Sequence, residues 1–162
     1  MSVNNPFSFG RYLASIVIAM CLNIGAWPQQ FIAFNPDWIL LVLIYWTLAV
    51  PDRVGIFNGW FIGLLTDVLT GRMLGQHAFT YSLVVFMCLK LHKRLRQYPL
   101  IQQGSFIFFC LLSSQLIIFW IENTQNTTRF QSHFWLPIIT GTMCWPFVYS
   151  FLRLLRLYRR SR

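Results

Sequence analysis

The spacing of its charges constrains this chain more than any other feature. Arg11 and Asp37 are separated by 25 uncharged residues, Arg96 and Glu122 by another 25, and Arg129 and Arg153 by 23. Each gap exceeds the ~20 residues that one helix needs to cross a hydrocarbon core of ~30 Å. Between these gaps, residues 38–51 are charge-free, 54–71 contain only Asp67, and 73–89 are again free of charge. Only 10% of the 162 residues are charged and 56% are hydrophobic. Soluble domains carry about 25% charge, so this chain could not cover a water-facing surface. The pattern predicts an all-α polytopic membrane protein forming one integral-membrane domain. Its six transmembrane helices fall at about 12–33, 36–51, 54–70, 74–90, 104–121 and 134–153.

The second segment is the shortest. Asn35 is placed to cap it, Pro36 to occupy its first helical position, and Asp37 to favour the helix dipole in its first turn. Sixteen residues at ~1.5 Å per residue reach only ~24 Å. A re-entrant pair formed with the third segment is therefore the alternative to two full crossings.

Lys and Arg in the flanks set the orientation. With the N-terminus inside, one side holds Arg11, Arg53, the group Lys90, Lys93, Arg94 and Arg96, and the tail Arg153, Arg156, Arg159, Arg160 and Arg162. The other side holds only Arg72 and Arg129. That bias predicts both termini in the cytoplasm. Trp27, Trp38, Trp120 and Trp135 then fall near outer boundaries, where amphipathic rings prefer to sit. The first ten residues are uncharged and precede no small-residue cleavage pattern, which argues against a cleaved signal peptide. The basic flanks suit anionic lipid headgroups or an acidic partner. Nucleic acid is a poor fit, because the cations are divided between two membrane flanks.

Gly55, Gly59, Gly63 and Asp67 recur every fourth residue and so share one helix face. Such a strip admits another helix at close range, as small-xxx-small faces do in lipid. An ionised Asp at the bilayer centre costs on the order of 2.5–3.5 kcal/mol, so Asp67 is expected to organise a helix junction, a partner surface or a ligand pocket. The alternatives are a partly hydrated place at the membrane boundary or a helix-end cap onto the Thr70-Gly71 turn. Gly71 and Gly75 mark a tight turn before the fourth segment. Cys21, Cys88, Cys110 and Cys144 lack a CxxC spacing, and they read as small buried hydrophobes. His77, His92 and His133 have no metal-ligand spacing, so neither a metal nor a cofactor is expected. No nucleophile or acid pair stands out, which points away from an enzyme.

The ordered set Asn35-Pro36-Asp37-Trp38, Tyr45-Trp46, Pro51, Arg53-Val54, Gly59, Gly63, Asp67, Gly71, Leu74-Gly75 and Ala78 resembles the MreD family of bacterial rod shape-determining proteins. Gln102-Gln103, Phe119-Trp120 and Trp145-Pro146 extend the likeness over nearly the whole chain. The resemblance implies a non-catalytic inner-membrane component of the lateral wall elongation machinery. It implies a bitopic partner, MreC, and through it MreB filaments, the glycosyltransferase RodA and a class B penicillin-binding protein. It also implies a fold similar to the six-helix substrate-binding subunits of vitamin transporters. On this reading the Gly55/Gly59/Gly63 face and Asp67 either hold the MreC helix or shape the packing that does, and a homodimer stays open. The other reading is a transport subunit with a small-molecule pocket near Asp67.

Overall fold

The computed structural model describes residues 9–25, 28, 34–124 and 135–157. Within them the chain forms six helices and no strand: α1 (Phe9–Ile24), α2 (Trp38–Ala49), α3 (Ile56–Thr70), α4 (Gln76–Leu95), α5 (Leu100–Thr124) and α6 (Leu136–Leu157). Trp27, Arg129, His133, Arg159, Arg160 and Arg162 lie outside the described residues.

The short second segment is the centre of the bundle. Every residue of α2 from Ile39 to Ala49 is buried, as befits a helix that is apolar on all sides. Helices α1, α4 and α6 pack around it, while α3 lies along α4 in the most extensive pairing of the fold. Helix α5 bridges α4 and α6. Twelve residues rise only ~18 Å, so α2 is an internal strut shorter than the bilayer core. Val50 closes it by donating to Trp46 O at 2.8 Å, and a turn over Pro51–Val54 leads into α3.

The surrounding helices bury one stripe each. In α5 it runs Gln103, Ile107, Cys110, Leu111, Ser114 and Ile118; in α6 it runs Ile138, Trp145, Val148 and Leu152. These spacings repeat the helical period. The opposite faces are equally apolar but exposed, with Phe57 at 80% and Ile101 at 88%. A shell this apolar belongs in lipid. Among the described residues, two helical stretches, Ile101–Thr124 and Leu136–Arg156, are long and apolar enough to cross a membrane, whereas α1, α2 and α3 are shorter apolar helices.

Several helix limits differ from the sequence expectation. The first helix is Phe9–Ile24, beginning three residues before the expected span and ending nine before its limit. Helix α4 continues through Lys90, His92, Lys93 and Arg94 to Leu95, so this basic group is helical and forms no loop. Helix α6 likewise runs on through Arg153 and Arg156. The physical reason is shared: basic side chains end an apolar stretch, but they suit the negative C-terminal end of a helix. Of the four cysteines, Cys88 and Cys110 are buried, Cys144 is half-buried and Cys21 is exposed.

Candidate functional site

Three of the chain's four acids, Asp37, Asp67 and Glu122, gather at one end of the bundle, where α2, α4 and α6 begin and α3 and α5 finish. Gly71 closes α3 in the left-handed conformation, with φ +63°. Its N–H and that of Arg72 both return to Asp67 O. Gly75, with φ +102°, then opens α4. Glycine suits both positions because an L side chain is strained at positive φ.

This turn delivers the start of α4 to the Asp67 side chain. One carboxylate oxygen accepts from Gly75 N at 2.8 Å, and the other accepts from His77 N at 2.9 Å. A longer contact reaches Ala78 N at 3.4 Å. His77 Nδ1 lies 2.7 Å from Asp67 Oδ1. Glycine at the N-cap of α4 has no side chain to offer its first-turn donors. An acid from the preceding helix does so instead, at the positive end of the α4 dipole. Asp67 is 0% exposed, so its carboxyl group is surrounded entirely by protein. Asp67 caps the following helix, not the Thr70-Gly71 turn, and its bonded carboxylate is not free to line a small-molecule pocket.

The glycine strip explains how α4 comes so close. A Cβ on Gly63 would stand 2.5 Å from both Ala78 Cα and His77 O. On Gly59 it would meet Val85 Cγ2 at 2.9 Å and Tyr81 O at 3.1 Å. Helix α4 of this same chain therefore fills the face, and a partner helix has no room there. Gly55 lies off this contact, at the N-cap of α3, with open space around its Cβ position.

A second carboxylate sits one helix away. The start of α2 is shifted from its expected place: Asp37 is the N-cap and accepts from Leu40 N at 3.1 Å. Its carboxylate reaches the third N–H of the helix, the usual geometry of an Asp cap. Asn35 instead accepts from Trp38 Nε1 at 2.8 Å, and Pro36 precedes the helix. Tyr81 Oη donates to both Asp37 oxygens at 2.8 and 2.9 Å. The Tyr81 ring packs edge-on against His77 at 5.5 Å. Asp37, Tyr81, His77 and Asp67 thus form one continuous polar seam joining α2, α3 and α4. Arg72 completes this end through Glu122, with Nη1 and Oε1 2.6 Å apart. Sequence reading missed His77 and Tyr81 as partners; the available signal was a histidine placed just beyond the Gly71–Gly75 turn.

Helices α1 and α6 pair only weakly; at the opposite end Arg11 Nη1 donates to Leu155 O at 2.8 Å and Arg156 O at 3.1 Å. An apolar groove of about 410 Å³ opens between them, with Ala14, Ile18 and Leu22 on one wall, Phe147 and Phe151 on the other, and Val42 of α2 at its floor. The described basic residues Lys90, Lys93, Arg94, Arg96, Arg153 and Arg156 also lie at that end, on the final turns of α4 and α6 and just beyond α4. Among the described residues no cluster of His, Cys, Asp and Glu is arranged to hold a metal ion.

An all-helical bundle with an apolar shell, whose buried polar groups are used to join helix to helix, defines the class: an integral membrane protein built around internal helix junctions. The rod shape-determining protein MreD family matches residues 7–155, and the chain belongs to that family. It is 32% identical over 144 residues to the rod shape-determining protein MreD of Haemophilus influenzae, covering 89% of each chain. No solved structure matches it.

Proposed function

We propose that this chain is a non-catalytic, multi-pass component of the bacterial inner membrane that seats the transmembrane helix of MreC in the α1–α6 groove. Through MreC it joins MreB filaments to RodA and a class B penicillin-binding protein during lateral wall synthesis. All six segments lie within the bilayer, with both termini cytoplasmic, α2 enclosed by the others, and the basic flanks on anionic lipid. The observation that carries the docking site is the contrast between the two candidate surfaces. The glycine strip is filled by α4, whereas the groove is concave, lined mainly by apolar side chains and left open by the described residues. In lipid, helices associate through close packing because lipid and side chain are equally apolar. A preformed groove favours that packing without any reorganisation of the bundle.

The test is affinity purification of tagged protein from gently solubilised native membranes, with partners identified by mass spectrometry. Stoichiometric MreC is expected with the natural chain and with Phe109→Trp, a change on the exposed face of α5. Ala14→Trp together with Ile18→Trp fills the groove, and MreC should then be lost from a variant that still inserts. Undiminished MreC would place its helix elsewhere. Recovery of an ATPase pair with a retained metabolite would favour a transport subunit.

A further inference from the structure

At the end of the bundle opposite Asp67, α2, α4, α5 and α6 form an open-sided cavity of about 200 Å³ lined in part by Tyr45, Gln103, Tyr149, Arg96, Arg153 and Arg156. All three of these arginines contribute to its lining, and none has an ion pair among the described residues. The chain has only four acids. Asp37, Asp67 and Glu122 are engaged at the far end, and Asp52 is exposed in the turn between α2 and α3. Helices α4 and α6 finish at this end, but two C-termini of about half a negative charge each do not offset three full positive charges. The side-chain acids of the described residues therefore leave the positive charge around this cavity uncompensated.

Gln103 adds a second requirement. Its side-chain nitrogen donates to Leu95 O at 2.9 Å and Tyr98 O at 3.2 Å, which fixes the orientation of the amide. The carbonyl oxygen, Oε1, is buried and has no partner. The residue is 6% exposed and lines the cavity. A buried acceptor of this kind calls for a donor. Tyr45 and Tyr149, edge to face at 5.6 Å, form an aromatic wall. A water occupies about 30 Å³ of liquid, so the space suits several waters or one small headgroup, and is too small for a larger cofactor.

We propose that this cavity binds a phosphate ester bearing a hydroxyl group, its anionic oxygens held by Arg96, Arg153 and Arg156 and its hydroxyl donating to Gln103 Oε1. Arginine presents a planar fork of donors that matches phosphate oxygens. A glycerol phosphate group has this chemistry, whether as the headgroup of phosphatidylglycerol or as a soluble ester. The site is independent of the groove assigned to MreC.

The test uses the full chain, stripped of phospholipid in detergent. Native mass spectrometry compares phosphatidylglycerol, phosphatidylmethanol and phosphatidylcholine of identical acyl chains, and calorimetry measures glycerol 1-phosphate. Phosphatidylglycerol should be retained several-fold to about tenfold better than phosphatidylmethanol, which has the same charge but no hydroxyl, and phosphatidylcholine should bind weakest. Arg153→Ala with Arg156→Ala should lower phosphatidylglycerol retention by about tenfold or more, and the paired Lys variant should restore part of it. Binding of the lipid, with or without glycerol 1-phosphate, assigns the site to a bilayer headgroup; glycerol 1-phosphate alone assigns it to a soluble ester. Equal retention of the three lipids without glycerol 1-phosphate binding overturns the proposal, as does a folded Ala variant that binds every probe like the natural chain. Should the Ala variant not fold, the ranking of lipids on the natural protein decides.

Discussion

The carboxylate of Asp67 on α3 and the imidazole of His77 on α4 meet at 2.7 Å across a turn bounded by two left-handed glycines. The same carboxylate accepts the first-turn N–H groups of α4. Removing it strands several donors and the imidazole together in a fully buried site, a loss on the order of 3 kcal/mol or more. Asp67→Ala is therefore expected to lower the melting temperature in detergent sharply and to reduce the amount of protein in the membrane. Asp67→Asn keeps an acceptor oxygen and should lose visibly less. Equal melting of Asp67→Ala and the natural chain would show that α4 starts without this cap.

The glycines offer a graded comparison. Gly63→Ala places a methyl group 2.5 Å from backbone atoms of α4, which cannot rotate away. Overpacking of this kind costs about 1–3 kcal/mol or more. Gly59→Ala meets the end of Val85 and one carbonyl, and should cost less. Gly141→Ala approaches Leu111 Cδ1 at 2.7 Å, the far end of a flexible side chain, and should be tolerated. Gly55→Ala meets nothing and should be neutral. Thermal unfolding of the four variants in one detergent checks the order, and a Gly63→Ala protein as stable as Gly55→Ala would contradict the close approach of α3 and α4.

These positions also show what a reader of the sequence can and cannot see. Spacing by four made the strip visible as a surface for close approach, because three glycines on one face have no other simple use. Which helix fills it was not legible, since a smooth face carries no record of its partner. The charge gaps located every helix, yet they cut α4 and α6 short. A lysine or arginine ends an apolar run while prolonging a helix happily, so the two limits need not coincide. Residues 36–51 read as a short crossing on length alone; the all-round apolar pattern of 38–49 is the better guide to a core helix. The α1–α6 groove and the basic cavity left no local signal, being built from segments remote in sequence.

The turn itself has a separable cost. Gly71, at φ +63°, and Gly75, at φ +102°, have open space where a Cβ would be placed, so only backbone conformation opposes substitution. An L residue in the left-handed region is worse by roughly 1–2 kcal/mol. Gly71→Ala should therefore destabilise by about that amount, and Gly71→Asn by less, because Asn tolerates this conformation better. Similar melting temperatures for the Ala and Asn variants would mean that strain at this residue does not limit the turn.

The last expectation concerns the bond between α2 and α4. Tyr81 Oη donates to Asp37 at 2.8 Å while the same carboxylate caps α2. Hydrogen bonds between helices in lipid are worth roughly 0.6–2 kcal/mol, less than burial alone would suggest, since the unfolded chain in the membrane also finds partners. Tyr81→Phe removes the donor and keeps the ring against His77, so its cost should fall in that range. Asp37→Asn preserves an acceptor for the Leu40 cap and for the phenol, and should be milder than Asp37→Ala. If the pair acts as a unit, Asp37→Ala with Tyr81→Phe costs less than the sum of the single changes, with a coupling of about 1 kcal/mol. Strict additivity in a thermal or denaturant cycle would mean that the cap and the packing of Tyr81 stabilise α2 independently, and that the seam is two neighbouring contacts without cooperation.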